Sequence, residues 1–401
     1  VKTGSGTWIL TGQNTYTGTT TVSSGVLEIR HANALGASGT GQGTTVASGA
    51  TLQVRNVSGS IAEPIRLAGS GVQVDGASVG ALYNIQGDNT WQGSITLIGH
   101  TSIGAARDTT LTITGPISES PNRWTLTKVG PGTLVLATAQ TYGSETIVAE
   151  GTLKLAAPNA IVNTFAVTLG SGSSSGVLDL AGYNQLLRRL RTSGTAGAAN
   201  RVINSGSTTS TLTFVCPGGE GHAFAGVIEG NIQLVKDEGG AFLLTGQNTY
   251  TGGTIIKAGW LMLSGGDDRL PTTGDITIIN GKLDLGGTTQ NITGSAVVSI
   301  QGGEVVNGTI NNNSTQPYDG RAGHVSARLA GSAGLVKTGS DTLNLYGQHT
   351  YIGGTTIREG TLYLRGQHID SDRLNPAGDI TILGGTLDLG STTQNISASA
   401  K

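Results

Sequence analysis

The sequence predicts an all-β chain wound as a right-handed parallel β-helix, and three observations carry that reading. Glycine supplies 66 of the 401 residues, while aromatics are only 4% and charged residues only 12%. Thr, Val, Ile and Leu dominate between the glycines, a mixture that suits pleated strands joined by turns. One block of residues then recurs four times with unchanged internal spacing, the mark of a repeat architecture. Helix is excluded because no window of helical length places apolar residues at i, i+3, i+4 and i+7 without a glycine interrupting it. Collagen would need glycine at every third position with much proline, and disorder is excluded by 36% apolar content.

The block is defined by four tyrosines, Tyr16, Tyr142, Tyr250 and Tyr351. Fourteen residues before each stands Lys2, Lys128, Lys236 or Lys337. Eight before stands Trp8, Leu134, Phe242 or Leu343, and six before stands Leu10, Leu136, Leu244 or Leu345. Six after is β-branched (Val22, Val148, Ile256, Ile357), nine after is Gly25, Gly151, Gly259 or Gly360, and eleven after is Leu27, Leu153, Leu261 or Leu362.

Parity turns this spacing into structure. Trp8 and Leu10 are two apart, as are Thr20 and Val22, and Leu27 and Ile29, so each pair points to one face of a strand. Gly12-Gln13-Asn14, Gly18 and Ser24-Gly25 lie between the pairs and supply turns. One such coil cannot bury its apolar face alone. Stacking coil on coil buries a continuous core and pairs the backbone with the coils above and below. Leu10, Val22, Leu27, Leu136, Leu153, Leu244, Ile256, Leu345 and Leu362 are therefore expected inside. Coils of ~20–25 residues rising ~4.8 Å each would give on the order of 16–20 coils.

A second phrase follows the first. Leu178-Asp179-Leu180, Leu283-Asp284-Leu285 and Leu387-Asp388-Leu389 are each followed by glycine and then glutamine. The chain reads as a single continuous β-helix over 1–401, cut from a longer polypeptide, with superunits of about 1–126, 127–234, 235–335 and 336–401. The opening residues already form a nearly complete repeat, so either neighbouring segments of the same chain cover the ends or copies stack end to end into a filament.

The phrase running from Lys236 to Thr254, and again from Lys2 to Thr20, resembles the passenger-associated transport repeat of bacterial autotransporters. Gly176 to Gln185 is similar to the accompanying autotransporter-associated β-strand repeat. Residues 30–126 carry these phrases only faintly. The resemblance implies an exported β-helical passenger on the surface of a Gram-negative bacterium, with a structural or adhesive role as spacer, adhesin or matrix component. The alternative is a polysaccharide lyase or glycoside hydrolase on the same scaffold. A cleft lined by unrepeated carboxylates and Arg or Lys would favour that enzyme.

Composition and motifs narrow the chemistry. The net charge of −2 gives no electrostatic case for nucleic acid, and no apolar run spans a membrane. The expected partners are further copies of the chain or host and cell-surface glycans and proteins. Cys216 reads as a small apolar strand residue after Thr213-Phe214-Val215. No His-Glu-x-x-His or calcium nonapeptide occurs, and no catalytic, cofactor or metal residue is predicted. Asp267-Asp268-Arg269 and Asp370-Ser371-Asp372-Arg373 read as solvated turns closed by Asp–Arg contacts, with a cation site as the alternative. Asp179, Asp284, Asp388, Asp275 and Asp379 recur in the repeats and read as scaffold. The basic run Gln185 to Arg191 reads as leucines inward and arginines outward, against an anion-binding patch. Of the tryptophans Trp8, Trp91, Trp124 and Trp260, all conceivable sugar platforms, Trp8 is expected in the core and Trp91 exposed.

Overall fold

Strands of mostly three to six residues alternate with turns, as in the run Thr7–Leu10, Thr20–Val22, Gly25–Ile29. This is a computed structural model, and it describes residues 1–37, 42–162, 165–366, 373–390 and 394. Among them there is no α-helix, only one 3-10 turn at Gly197–Ala199. Contacts divide the chain into two units, Val1–Ser210 and Thr211–Lys401.

Each unit is a parallel β-solenoid. In the first, Leu27, Leu52, Leu82 and Ile103 lie side by side on successive coils. A second ladder runs Leu111, Leu134, Leu153, Leu178. In the second unit Phe224, Leu244 and Leu263 are neighbours, as are Leu283, Val305 and Val325. These residues are buried, and stacking like on like fills the interior with interdigitating aliphatic side chains. Phe214 and Phe242 add an aromatic stack with ring centroids 4.0 Å apart. Cys216 is buried in this unit, as its strand context predicts.

Coil length follows from what must be inserted. Leu283 to Val305 and Val305 to Val325 are steps of 22 and 20 residues. Leu52 to Leu82 is a step of 30, beyond the expected range. The surplus leaves the ladder as a short antiparallel hairpin, Gln73–Val74 with Ala77–Ser78. The long step lies within the stretch where the repeat phrases are faint.

Eight of the nine residues assigned to the interior are buried. Leu10 is the exception and is half-buried. Trp8, expected in the core, is 56% exposed. Both belong to Thr7–Leu10, which pairs with Gly25–Ile29 on one side only. Trp8 lies in register with the buried Leu27, so the repeat placed it on the inward row, but no coil covers it from the other side. Trp91 reverses the opposite expectation: it is fully buried. Asp88–Trp91 is a strand whose Trp91 sits between Ile61 and Ile113 in register, so its side chain faces the core.

Candidate functional site

Each repeat occupies two consecutive coils. In the second copy Leu126–Val129 pairs with Thr146–Val148, and Thr133–Leu136 with Gly151–Leu155. The repeat lysine stands in the aliphatic stack itself. Lys128 lies between Ile103 and Val148, and Lys236 heads the row Ile256, Ile278, Ile300. All four lysines are buried. A buried ammonium requires partners, and an ammonium has three protons to donate.

The partners repeat as well. Lys128 Nζ donates to the carbonyls of Val129 at 3.0 Å, Gly130 at 2.6 Å and Glu150 at 3.0 Å. Lys236 donates to Asp237, Glu238 and Ala258, Lys337 to Thr338, Gly339 and Glu359, and Lys2 to Thr3, Gly4 and Ser24. Each lysine thus caps the corner of its own coil and ties it to the corner of the next. Burial pushes Lys128 down to about 7, with Glu150 pushing it back up. Burial lowers Lys236 and Lys337 too, opposed by neighbouring acidic groups.

The glycine nine residues after the tyrosine completes the corner. Gly25, Gly151, Gly259 and Gly360 have φ between +66° and +70°. A Cβ on Gly259 would stand 2.1 Å from the Glu238 carbonyl oxygen and 2.4 Å from that of Gly240. Only glycine combines that dihedral with that approach.

The tyrosine closes the opposite corner. Tyr142, Tyr250 and Tyr351 are buried, and their hydroxyls lie 2.6–2.7 Å from Oγ1 of Thr146, Thr254 and Thr355. Tyr16 makes the same contact with Thr20 but is 40% exposed, on the same half-covered first coil as Trp8. Two positions before the tyrosine, Gln140, Asn248 and His349 accept the backbone N–H of Ile117, Ile228 and Leu329 on the preceding coil. The threonine four residues after the tyrosine and this acceptor position were missed in the sequence. The threonine is invariant in the four copies and was legible; the acceptor was masked by having three different residue types.

The second phrase is also scaffold. Asp179, Asp284 and Asp388 each accept the N–H two residues ahead, from Ala181, Gly286 and Gly390. Gln185 and Gln290 clamp both the N–H and the C=O of Ile161 and Leu270. The Asp267–Arg269 turn is not closed by Asp–Arg contacts. Asp267 and Asp268 accept the N–H groups of Thr289 and Asn291, and Arg269 donates to the carbonyls of Gly265 and Gly266. Its counterpart Asp370 to Asp372 lies outside the described residues. In the basic run Leu187 and Leu190 are buried, and Arg191 reaches Glu145 at 2.6 Å. Among the described residues no group of three His, Cys, Asp or Glu side chains gathers as a metal site.

Glu28 is enclosed by two arginines, Arg30 and Arg55. Burial would raise it, but hydrogen bonds from Arg30, Arg55 and Gln53 hold it below the usual range. Its side chain is 3% exposed, which bars it from substrate.

One outward-facing groove of about 620 Å³ runs across successive coils of the second unit. Trp260, Lys282, Glu304 and His324 lie side by side along it in register. Glu304 is the one carboxylate among its lining residues and pairs with Lys282 at 2.6 Å. Most glycosidases use two flanking carboxyl groups.

The spacing of lysine, tyrosine and glycine across two coils has a match among known families. The passenger-associated-transport-repeat family matches residues 1–29, 126–155, 234–263 and 335–364. The chain carries passenger-associated-transport-repeats. The four matched stretches contain every lysine, tyrosine and glycine of the corners described above. The chain is also similar to the adhesin BmaC autotransporter of Brucella suis biovar 1 (strain 1330), 33% identical over 164 residues. That match covers 41% of this chain and 4% of that much longer protein. No solved structure matches. The resemblance read from Lys2 to Thr20 and Lys236 to Thr254 is thereby shown, as is the parallel solenoid it implies.

Proposed function

We propose that this chain is a surface-displayed segment of an autotransporter passenger, serving as a rigid spacer and adhesive surface without catalysis. The observation that carries the reading is the repeat itself: four two-coil blocks closed by buried lysines, in a chain similar to part of an autotransporter adhesin. Within each unit such blocks stack through short-range contacts, which suits display at a cell surface. The non-catalytic reading is supported by the similarity to an autotransporter adhesin and by repeat carboxylates spent on backbone N–H groups of the scaffold.

The test is on cells that produce the native protein. Antibodies to residues 1–401 should label intact cells, and external protease should remove the label. In-frame removal of these residues should reduce attachment to host cells or matrix while leaving export intact. Labelling only after permeabilisation would refute surface display, and unchanged attachment would refute the adhesive role.

A further inference from the structure

We propose that the groove beside Trp260 binds a neutral oligosaccharide. The starting point is a departure from the repeat. Ten residues after the tyrosine the other copies have Val26, Thr152 and Thr361, all half-buried on the outer side of the strand. The third copy has Trp260, which is 43% exposed. A tryptophan at an outward position gains little from packing, and the ring keeps apolar surface in water beside the Lys282 ammonium that lies over it.

The ring is held in place. Lys282, its partner on the next coil, sets Nζ 4.3 Å from the ring centroid, and Glu304 on the coil after fixes that ammonium at 2.6 Å. The platform is therefore organised before any ligand arrives, which lowers the entropy lost on binding. Gly281, Gly302, Gly303 and Gly323 line the groove beside this row, so no side chain rises from those positions into it.

The chemistry of the row selects the ligand class. A sugar ring has an apolar C–H face and an equatorial rim of hydroxyls. Trp260 offers the apolar platform, and Lys282, Glu304 and His324 offer donors and acceptors alongside it. From Trp260 to His324 is three coil steps, ~14 Å at the strand spacing, enough for a few linked rings rather than one. Lys282 and Glu304 cancel in charge, so the row has no excess of cations to draw a polyanion. The cellular sense of this site rests on the adhesive reading above; its test does not.

The purified 401-residue chain would be titrated with cellotetraose, maltotetraose and tetra-N-acetylchitotetraose, with a heparin tetrasaccharide as the polyanion, followed by tryptophan fluorescence and calorimetry. At least one neutral sugar should bind with Kd below about 1 mM. Trp260→Thr, which installs the residue of the second and fourth copies, should weaken it about tenfold or more with an unchanged melting curve. Trp260→Tyr, which keeps a ring, should retain most of the affinity and covers the case in which the threonine variant unfolds. The proposal is overturned if no neutral sugar binds with Kd below about 1 mM, if Trp260→Thr or another ring-less variant that folds binds as tightly as the parent, or if the heparin fragment binds more tightly than every neutral sugar. Surface labelling without sugar binding would remove this site and leave the display role; sugar binding without labelling would do the reverse.

Discussion

Lys236 and Gly259 lie on consecutive coils and are fitted to each other: a Cβ on Gly259 would stand 2.7 Å from Lys236 Nζ. Gly360 faces Lys337 at the same distance, and Gly25 faces Lys2 at 2.8 Å. The ammonium occupies the space that a side chain on the next coil would take, and in doing so satisfies carbonyls that the turn leaves unpaired.

Gly259→Ala should therefore destabilise the third repeat by roughly 2–4 kcal/mol, through its φ of +66° and the carbonyl oxygens in the path of the new methyl. Lys236→Met should lose about 1–3 kcal/mol, because three partly buried corner carbonyls lose their donor. The pair should be less than additive, since both changes open one corner. Urea unfolding with hydrogen exchange resolved to these coils measures all three; full additivity would show the two residues to be independent.

Tyr250 and Thr254 form a closed pair in the core, 2.6 Å apart, and burial raises the tyrosine well above its ordinary value. Tyr250→Phe and Thr254→Val should each destabilise, and the double mutant should recover about 1 kcal/mol of coupling. A coupling near zero would mean that the hydroxyls act separately.

Leu244 sits between Phe224 and Leu263 with no exposed surface. Leu244→Ala should lower stability by about 2–5 kcal/mol through the cavity it leaves. The loss should be confined to neighbouring coils, seen as faster amide exchange there, because solenoid contacts are between neighbours.

His349 takes the place that Asn248 holds in the third copy, and its Nδ1 accepts the Leu329 N–H at 3.1 Å. Burial, aided by Arg373 and Arg328, lowers it to about 3. The folded-state value lies below the unfolded one, so this residue's contribution is complete above about pH 6.5 and is lost as pH falls toward 3. Between pH 7 and 5 the fourth repeat should lose ~2 kcal/mol, read as faster exchange of the Leu329 amide. His349→Asn keeps an acceptor and should make exchange at that amide insensitive to pH over this range. A variant as acid-sensitive as the parent would place the titrating group elsewhere.

The fold class and most of the interior were legible because parity and repetition are carried by residue type: Leu27, Leu153, Leu244 and Leu362 lie where period two puts them. Lys128 was not, since lysine by type belongs outside and only the corner carbonyls make its burial possible. Trp91 was misplaced because Gly87-Asp88-Asn89 reads as a turn, whereas Asp88 already begins a strand and Asn89 faces inward. Trp8 keeps the inward row that the repeat assigns it, in register with Leu27, and is exposed because its strand is paired on one side. The groove was invisible because Trp260, Lys282, Glu304 and His324 come from four coils with no shared phrase.

The bonds that close each block are short in reach. The lysine stops at the carbonyl 22 residues ahead and the tyrosine at the threonine four ahead, while the anchors themselves stand 126, 108 and 101 residues apart. Nothing in one lock senses the distance to the next. Whole windings can be inserted or deleted between locks and leave every lock intact, so the number of windings between two locks is free to vary one at a time. A slip of a few residues inside a block has no such freedom, because it separates lysine, glycine, tyrosine and threonine together.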